Sequence, residues 1–281
     1  MILVTGASGT VGSATVAALK AKGVDFRVGS RSPEKAKALG APAVELDWDR
    51  PETLARAVAG VEKAFLLTPI SDQLESLTRA FVDAAKQAGV RHVVKLSAMG
   101  AGPESIALGR QHGAGEEVIQ SSGLDWTMVQ PTSFAQNFLN YYGVDPEKDS
   151  TVYLPLGEGK ASWVDARDVG EVAAAVLTDD GHQGKTYVLT GPEAVGAAEA
   201  LAMLSEALGH TYTYVDVPED AARKAMTDSG VPAWLVTAYS ELNSVIKNGY
   251  ASGVAPGVKQ VLDRDGRTFA EFARDLAASR S

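Results

Sequence analysis

The chain has 281 residues, of which 45% are hydrophobic, 22% charged and 7% aromatic. This length and composition fit a globular protein with a substantial core and argue against a disordered, collagen-like or coiled-coil chain. Aspartate and glutamate (35) outnumber lysine and arginine (26), which gives a net charge of −9. Because no basic tract is available to bind phosphate backbones, nucleic acid is not an expected partner.

The absence of cysteine excludes disulfides, thiolate nucleophiles, Cys-ligated zinc and iron–sulfur clusters. The four histidines, at positions 92, 112, 182 and 210, lack the spacing of a metal site, so no metal is expected. The first apolar run ends after four residues without a cationic region, and nowhere do about 18 apolar residues follow one another. We therefore expect a cytoplasmic protein without a membrane span.

The first 130 residues alternate short β-branched runs with longer helical patterns, as in βαβ units of a parallel sheet. The predicted strands are Ile2–Thr5, Asp25–Gly29, Ala43–Leu46, Lys63–Thr68, His92–Ser97 and Trp126–Val129. The predicted helices between them cover 11–22, 33–40, 51–59, 73–88 and 112–122. The expected fold class is therefore α/β, with a Rossmann-type doubly wound parallel sheet.

After Pro131 the alternation becomes irregular, with an aromatic cluster, a turn-rich stretch and a strand–helix–strand unit over 162–189. The helices predicted beyond Thr190 cover 194–208, 219–228, 232–248 and 268–278, the strand covers 211–217, and 249–257 is expected to be an exposed loop.

These patterns predict two domains. Residues 1–190 form the NAD(P)-binding Rossmann domain, with a substrate-side excursion near 132–160, and residues 191–281 form a smaller C-terminal α/β capping subdomain. The helix over 232–248 is apolar enough to serve either as core of the cap or as the face of a homodimer.

A glycine-rich loop directly follows the first predicted strand, with the spacing G-x-x-G-x-x-G. Its residues are the first candidate cofactor ligands: Gly6, Ala7, Ser8, Gly9, Thr10, Val11 and Gly12. The glycines permit a tight turn, close approach of a pyrophosphate and close helix packing, while the helix N-terminus offers free amides and a positive dipole end. The alternative is a glycine-rich turn that binds nothing.

The end of the second strand decides between the two dinucleotides, because an acid there binds the ribose hydroxyls of NAD and a base accepts the 2′-phosphate of NADP. Arg31 stands at that end and Lys35 lies one helical turn further, whereas Asp25 is at the wrong end of the strand. NADP(H) is therefore favoured over NAD(H). The alternative is that Arg31 is a solvated loop charge.

Further cofactor contacts are expected at the carboxyl ends of the other strands, where ligands of such sheets bind. Strand three ends at Asp47 and Trp48, which suit the adenine. The ends of strands four and five contribute Leu67, Thr68, Pro69 and Ser97, of which Thr68 and Ser97 lie nearer the nicotinamide half. Each of these residues has the alternative of being a helix cap or a turn residue.

The Tyr-x-x-x-Lys pair of ordinary short-chain dehydrogenases is absent at all eight tyrosines. Carbonyl reduction of the usual kind needs that tyrosine as its acid. Either another group donates the proton, or the acceptor takes up hydride without one.

The sequence resembles the NmrA-like group of atypical short-chain dehydrogenase/reductases over most of its length, and is similar to the bacterial NAD(P)H:quinone oxidoreductases and triphenylmethane reductases of that group. The matching stretches are Thr5-Gly6-Ala7-Ser8-Gly9-Thr10-Val11-Gly12, His112 to Thr127, Gln130-Pro131 to Asn137, Trp163 to Val169 and Tyr187 to Ala194. The group usually has arginine where this chain has Gln130.

The resemblance implies roles for several residues. His112 stands where plant relatives have a catalytic lysine, and so lies beside the nicotinamide; the alternative is a histidine packed at a helix start. Pro131, Thr132 and Ser133 belong to the nicotinamide end of the cofactor site. The candidate substrate residues are Phe134, Asn137 and Tyr141, although the stripe that Phe134 and Tyr141 form with Phe138 and Tyr142 suits a core equally.

The function expected from these features is an NADPH-dependent oxidoreductase that transfers hydride to a small conjugated acceptor such as a quinone, dye or enone. The alternative is a non-catalytic NADP(H) redox sensor that binds a protein partner, as the missing tyrosine acid would allow. A sugar-nucleotide epimerase or dehydratase is a weaker hypothesis, because those enzymes rely on the absent Tyr-x-x-x-Lys pair.

Overall fold

A computed structural model of the chain describes residues 1–280, apart from the side chains of Lys35 and Lys37. The chain divides into two compact units, and each draws on several segments. The first unit consists of Met1–Pro131, Ala166–Leu189 and Gly257–Arg264. The second consists of Thr132–Asp165, Thr190–Pro256 and the described residues from Asp265 onward.

The strands of the described chain are β1 (Ile2–Val4), β2 (Phe26–Ser30), β3 (Ala43–Glu45), β4 (Lys63–Leu66), β5 (His92–Leu96), β6 (Asp125–Pro131), β7 (Ser150–Leu154), β8 (Lys160–Ala161), β9 (Lys185–Leu189), β10 (Val195–Gly196) and β11 (Tyr212–Asp216). The helices are α1 (Thr10–Ala21), α2 (Pro33–Lys37), α3 (Pro51–Val58), α4 (Leu74–Gln87), α5 (Ala107–Gln120), α6 (Asn137–Asn140), α7 (Ala166–Thr178), α8 (Ala197–Leu208), α9 (Glu219–Asp228), α10 (Ala233–Lys247), α11 (Gly257–Leu262) and α12 (Phe269–Ala278).

The first unit is built on a seven-stranded sheet in the order β3-β2-β1-β4-β5-β6-β9, with every neighbouring pair parallel. The chain moves outward from β1 to β3 and then returns to β4 on the other side of β1. The carboxyl ends of β1 and β4 therefore meet at the point where the direction of winding reverses, which is where such sheets bind ligands. The predicted Rossmann-type α/β fold is confirmed.

Helices cover the sheet because its central strands are apolar on both faces. Helices α1 and α7 pack directly against each other, so closely that a Cβ atom on Gly170 would lie 2.7 Å from Cβ of Ala14. Helices α3, α4 and α5 form a second row, and its core contains Leu54, Phe81 and Ile119.

The second unit has its own core beneath two short sheets. Strand β7 pairs parallel with β11, and β8 pairs antiparallel with β10. Phe138 is fully buried at the centre, with its ring centroid 5.2 Å from those of both Trp163 and Phe269. The indole N–H of Trp163 donates to the Val195 carbonyl at 2.8 Å, so the buried polar atom of this cluster is satisfied.

Several element boundaries differ from the sequence prediction. Helix α5 begins at Ala107, five residues earlier than predicted, because Gly109 lets the helix pack on Ser105, whose Oγ would lie 2.0 Å from a Cβ there. The turn-rich stretch contains β7, whose pairing partner lies about 60 residues away in the chain. Helix α11 begins at the end of the predicted exposed loop, and only 137–140 of the aromatic stripe is helical.

The longest described helix is α10, with 15 residues, and it buries Val236, Ala238 and Ile246. Among the described residues, no helix combines the length and the apolar character that crossing a membrane would require.

Candidate active site

The glycine-rich loop joins the buried strand β1 to helix α1. Gly6 has a φ of 58°, in the left-handed region that favours glycine, and the Gly9 amide donates to its carbonyl at 3.0 Å. Gly9 is the N-cap of α1, and no side chain caps the helix there. The N-cap residue therefore places no side-chain acceptor over the start of α1, which leaves room for an anion at this positive end of the helix.

Gly12 allows helix α1 to begin close to the turn at Gly6. A Cβ atom at Gly12 would lie 2.2 Å from the Gly6 carbonyl oxygen, so only glycine allows the helix to start this close to the turn. A Cβ at Gly9 would meet only the Gly6 carbonyl, at 3.4 Å, which leaves the outer side of the loop open. A tight turn with an open outer side, at a helix start that no N-cap side chain covers, fits the pyrophosphate of a dinucleotide.

The predicted residues at the end of β4 lie beside this loop. The buried Thr5 hydroxyl donates to the Leu67 carbonyl at 2.9 Å and accepts from the Leu67 amide at 2.7 Å. A Cβ on Gly6 would be 3.0 Å from Cβ of Leu67. Thr68 is half-buried and Pro69 is exposed. Strand order and these hydrogen bonds thus bring Gly6 and Leu67 together.

At the end of β2, Arg31 is exposed. The turn that carries it is held by the Ser32 amide, which donates to Ser30 Oγ at 3.1 Å. Lys35 lies in α2, and its side chain is outside the part of the chain that the structure describes.

Asp47 and Trp48 follow β3. The Asp47 carboxylate accepts from the Asp49 amide at 3.2 Å and from Arg50 Nε at 3.3 Å, which organises the turn before α3. Trp48 is half-buried, with its ring 6.3 Å from that of Phe81. Both residues thus have structural contacts of their own.

Ser97 follows β5 and is 4% exposed. Its amide donates to the Val129 carbonyl at 2.7 Å, so β5 and β6 remain joined at their carboxyl ends. Its hydroxyl has no hydrogen-bond partner among the described residues. A buried polar atom normally has a partner, so a free hydroxyl at the ligand-binding edge of the sheet fits a group of the cofactor.

The structure adds one residue that the sequence analysis missed. Lys95 lies on β5 with its side chain fully buried, and its Nζ donates to the Leu96 carbonyl at 2.9 Å and lies 3.5 Å from Nδ1 of His112. The signal in the sequence was a lysine within an otherwise apolar strand, since a buried lysine is rare without a partner.

Burial shifts the pKa values of this pair in the same direction. Desolvation lowers the pKa of Lys95 to about 8, while the Glu116 carboxylate opposes that change. Burial, together with the charge of Lys95, lowers the pKa of His112 to about 3. Near neutral pH the imidazole of His112 is therefore uncharged, and Lys95 is mostly an ammonium.

Gln130 is buried on β6, at the position where the NmrA-like group usually has arginine. Its Nε2 donates to Oε1 of Glu116 at 2.8 Å, and both side chains are at least nine-tenths buried. Because the amide of Gln130 is neutral, it leaves the charge of Glu116 to act on Lys95.

The chain passes from β6 into the second unit at Thr132, which is buried. The Ser133 carbonyl accepts from the Val164 amide at 3.0 Å, and Phe134 forms a parallel bridge with Val164. These contacts anchor the segment that carries the predicted nicotinamide-end residues.

The predicted substrate residues lie close together in sequence but differ in exposure. Asn137 hydrogen-bonds the side chain of Tyr142, and burial raises the pKa of that phenol to about 12. Tyr141 is 64% exposed, whereas Phe138 belongs to the core. The side chain of Asn137 thus bonds to that of Tyr142, while the amides of Tyr141 and Tyr142 both donate to the Asn137 carbonyl at 2.9 Å.

Comparisons with known proteins agree with this geometry. A sequence model for a family described as NAD(P)H-binding matches residues 6–180. The NAD(P)H azoreductase of Xenophilus azovorans is 42% identical over 283 residues, covering 99% of both chains. An NADPH-dependent quinone oxidoreductase of Escherichia coli in complex with NADPH superposes with a TM-score of 0.84 at 26% identity, covering 98% of this chain and 99% of that one. A triphenylmethane reductase of Citrobacter sp. complexed with NADP(H) superposes with a TM-score of 0.81 at 25% identity, covering 98% of this chain and 99% of that one.

Proposed function

Since the chain belongs to the NAD(P)H-binding family, as the NmrA-like resemblance predicted, we propose that it is an NADPH-dependent oxidoreductase that reduces conjugated acceptors such as azo compounds, quinones and dyes. The azoreductase relative, matched along its whole length, supports the acceptor class.

The observation that carries the proposal is the loop between β1 and α1. Its open outer side, the close approach that Gly12 permits and the helix start without an N-cap side chain suit a dinucleotide pyrophosphate. Arg31 at the end of β2 would bind the 2′-phosphate through its planar guanidinium, which supports NADPH as the preferred cofactor.

When bound, the cofactor supplies a hydride from its nicotinamide ring. The remaining tasks fall to the protein. The glycine loop and Arg31 hold the phosphates, Ser97 hydrogen-bonds near the nicotinamide, and His112 offers a ring N–H to the acceptor. Because the imidazole is neutral near pH 7, one of its nitrogens carries a proton that it can donate.

Replacing Arg31 tests the cofactor preference. Arg31→Ala is expected to weaken NADPH binding by about 10- to 100-fold, because a charge-assisted hydrogen bond contributes about 1.5–3 kcal/mol. NADH binding should change by less than about 2-fold, since NADH lacks the 2′-phosphate. Dissociation constants for both cofactors, measured by fluorescence titration, provide the check.

The matched control is Arg79→Ala, which removes another exposed arginine, on the surface of α4, where it pairs with Glu75 at 2.8 Å. This variant should bind both cofactors as the wild type does. Equal losses for NADPH and NADH in the Arg31 variant would refute its role in recognising the 2′-phosphate.

Acceptor-dependent oxidation of NADPH tests the reaction itself. The purified protein should oxidise NADPH in the presence of an azo dye or a quinone and should do so more slowly after His112→Ala. Binding of NADPH without oxidation by any acceptor would overturn the reductase assignment and support the redox-sensor alternative, which requires different affinities for the oxidised and reduced cofactor.

A further inference from the structure

Lys95 is a charged side chain placed in the interior of the first unit. An ammonium is costly to bury unless other groups compensate it. Here the Leu96 carbonyl accepts one of its protons at 2.9 Å, and Nδ1 of His112 lies 3.5 Å from its Nζ. The amine is thus directed at one particular nitrogen of the candidate catalytic histidine.

The packing of α5 provides the space for this side chain. A Cβ atom at Gly115 would lie 3.0 Å from Cε of Lys95 and 2.8 Å from Cδ2 of Leu74. A side chain at position 115 would press on Leu74 and on the end of the Lys95 side chain, so the glycine leaves the space that these two side chains occupy. The close approach of helix and strand therefore depends on a glycine one helical turn away from His112.

Among the described residues, Glu116 is the charged group that faces Lys95 and His112. Its negative charge raises the pKa of Lys95, whereas burial lowers that pKa. Helix α4 contributes Leu74 and Thr78 beside Gly115, and β6 contributes Gln130, all uncharged. Lys95 therefore remains largely protonated at neutral pH.

A protonated lysine can only donate hydrogen bonds. When it faces Nδ1 of a neutral imidazole, that nitrogen must act as the acceptor, so the ring proton resides on Nε2. The half-buried His112 thereby keeps its N–H on the nitrogen that points away from Lys95.

We propose that Lys95 is a positioning residue that holds His112 as the Nε2–H tautomer and passes a proton to its Nδ1 as the ring protonates the reduced acceptor. This inference rests on the proposed function, in which His112 donates a proton to the reduced acceptor. It supplies the proton source that the missing Tyr-x-x-x-Lys pair leaves open.

Hydride uptake leaves a negative charge on a neutral acceptor. The Nε2–H bond of His112 breaks as an N–H or O–H bond forms on that acceptor, and an Nζ–H bond of Lys95 breaks as an Nδ1–H bond forms. The imidazole ends neutral in the opposite tautomer, Lys95 ends as a neutral amine, and solvent reprotonates the pair.

The first test is a spectroscopic one that needs neither cofactor nor turnover. Two-bond ¹H–¹⁵N spectra of the histidine rings, with His112 assigned through His112→Gln, should show the Nε2–H tautomer in the wild type at pH 7. Lys95→Met, which keeps the length of the side chain but removes the donor, should give a mixture of tautomers. The signals of His92, His182 and His210 report whether the variant is folded.

The second test compares two acceptors that differ in their need for a proton. Methyl red, an azo dye, requires one proton for each hydride, whereas malachite green is a cation that hydride alone converts to a neutral product. Lys95→Met should slow methyl red reduction by about 100-fold, the lower end of the usual range of general acid catalysis. Malachite green reduction should change by less than about 3-fold.

The wild-type protein provides a pH test that requires no variant. Reduction of methyl red should decline as pH rises through about 8, where Lys95 loses its proton, and the Nε2–H tautomer of His112 should become mixed over the same range. Malachite green reduction should lack this decline when its rate is expressed per concentration of the dye cation that remains at each pH, because hydroxide converts part of that cation to a carbinol without the protein.

The outcomes separate this inference from the proposed function. An unchanged tautomer both in Lys95→Met and above pH 8 would overturn the role of Lys95, as would equal losses with the two dyes. Failure of the wild type to reduce any acceptor would overturn the proposed function instead, and the ring spectra would still decide whether Lys95 sets the tautomer.

Discussion

At the scale of single residues, this protein places ionisable side chains where water does not reach them. His92 is 2% exposed, and its Nε2 lies 2.9 Å from Oγ1 of Thr127. Because that hydroxyl donates to the His182 carbonyl at 2.7 Å, it must accept from His92, which places the ring proton on Nε2. Burial lowers the pKa of His92 to about 4.

This shift predicts a loss of stability in mild acid. The pKa of His92 is depressed in the folded state, so the unfolded chain binds the proton more readily, and stability falls as pH drops from about 6.5 to about 4. The contribution of His92 is about 3 kcal/mol at most. His92→Gln, which does not titrate, should flatten the decline in thermal unfolding midpoint over this range. A slope equal to that of the wild type would contradict the prediction.

At the scale of elements, glycines and caps decide where helices begin and how closely they approach the sheet. The first turn of α1 stays uncapped above the open glycine loop. Helix α12, far from that loop in the chain, has a full capping box, in which Thr268 Oγ1 accepts from the Glu271 amide at 3.1 Å and the Glu271 carboxylate accepts from the Thr268 amide at 2.8 Å.

The capping box predicts a measurable effect on stability. Thr268→Ala should lower the free energy of unfolding by about 1 kcal/mol, because an amide at the start of α12 loses its acceptor. Thr227→Ala is the matched control, since that hydroxyl only donates to the Arg223 carbonyl within α9. Chemical denaturation of both variants measures the difference, and equal effects would show that the cap contributes nothing.

At the scale of the whole molecule, the chain forms two units that each have a hydrophobic core. The glycine loop, Arg31 and the Lys95–His112 pair belong to the first unit. The segment from Thr132 to Tyr142, with the candidate substrate residues, belongs to the second.

This division predicts how the protein responds to cofactor. NADPH at about 100 times its dissociation constant should stabilise the first unit by about 2.7 kcal/mol, because it binds only the folded state. Differential scanning calorimetry should show a higher unfolding temperature for the transition that includes this unit, and Arg31→Ala should reduce the rise at the same NADPH concentration. A transition that NADPH leaves unmoved would contradict the placement of the cofactor.

The amino-acid sequence by itself determined the Rossmann-type fold and the candidate phosphate loop. Alternating strands and helices, glycines at fixed spacing and a basic residue after β2 are local patterns, and the handedness of parallel crossovers turns them into one topology. The same topology identified the strand ends that lie beside the point where the direction of winding reverses.

Only the tertiary structure decided which side chains meet. Lys95 and His112 are 17 residues apart in the chain, and Glu116 and Gln130, which share a hydrogen bond, are 14 residues apart. The pairing of β7 with β11, and the side-chain hydrogen bond between Asn137 and Tyr142, also depend on packing. Periodicity indicates the face on which a residue lies but not its partner there, because hydrogen bonds and pKa values depend on neighbours that folding brings together from distant parts of the chain.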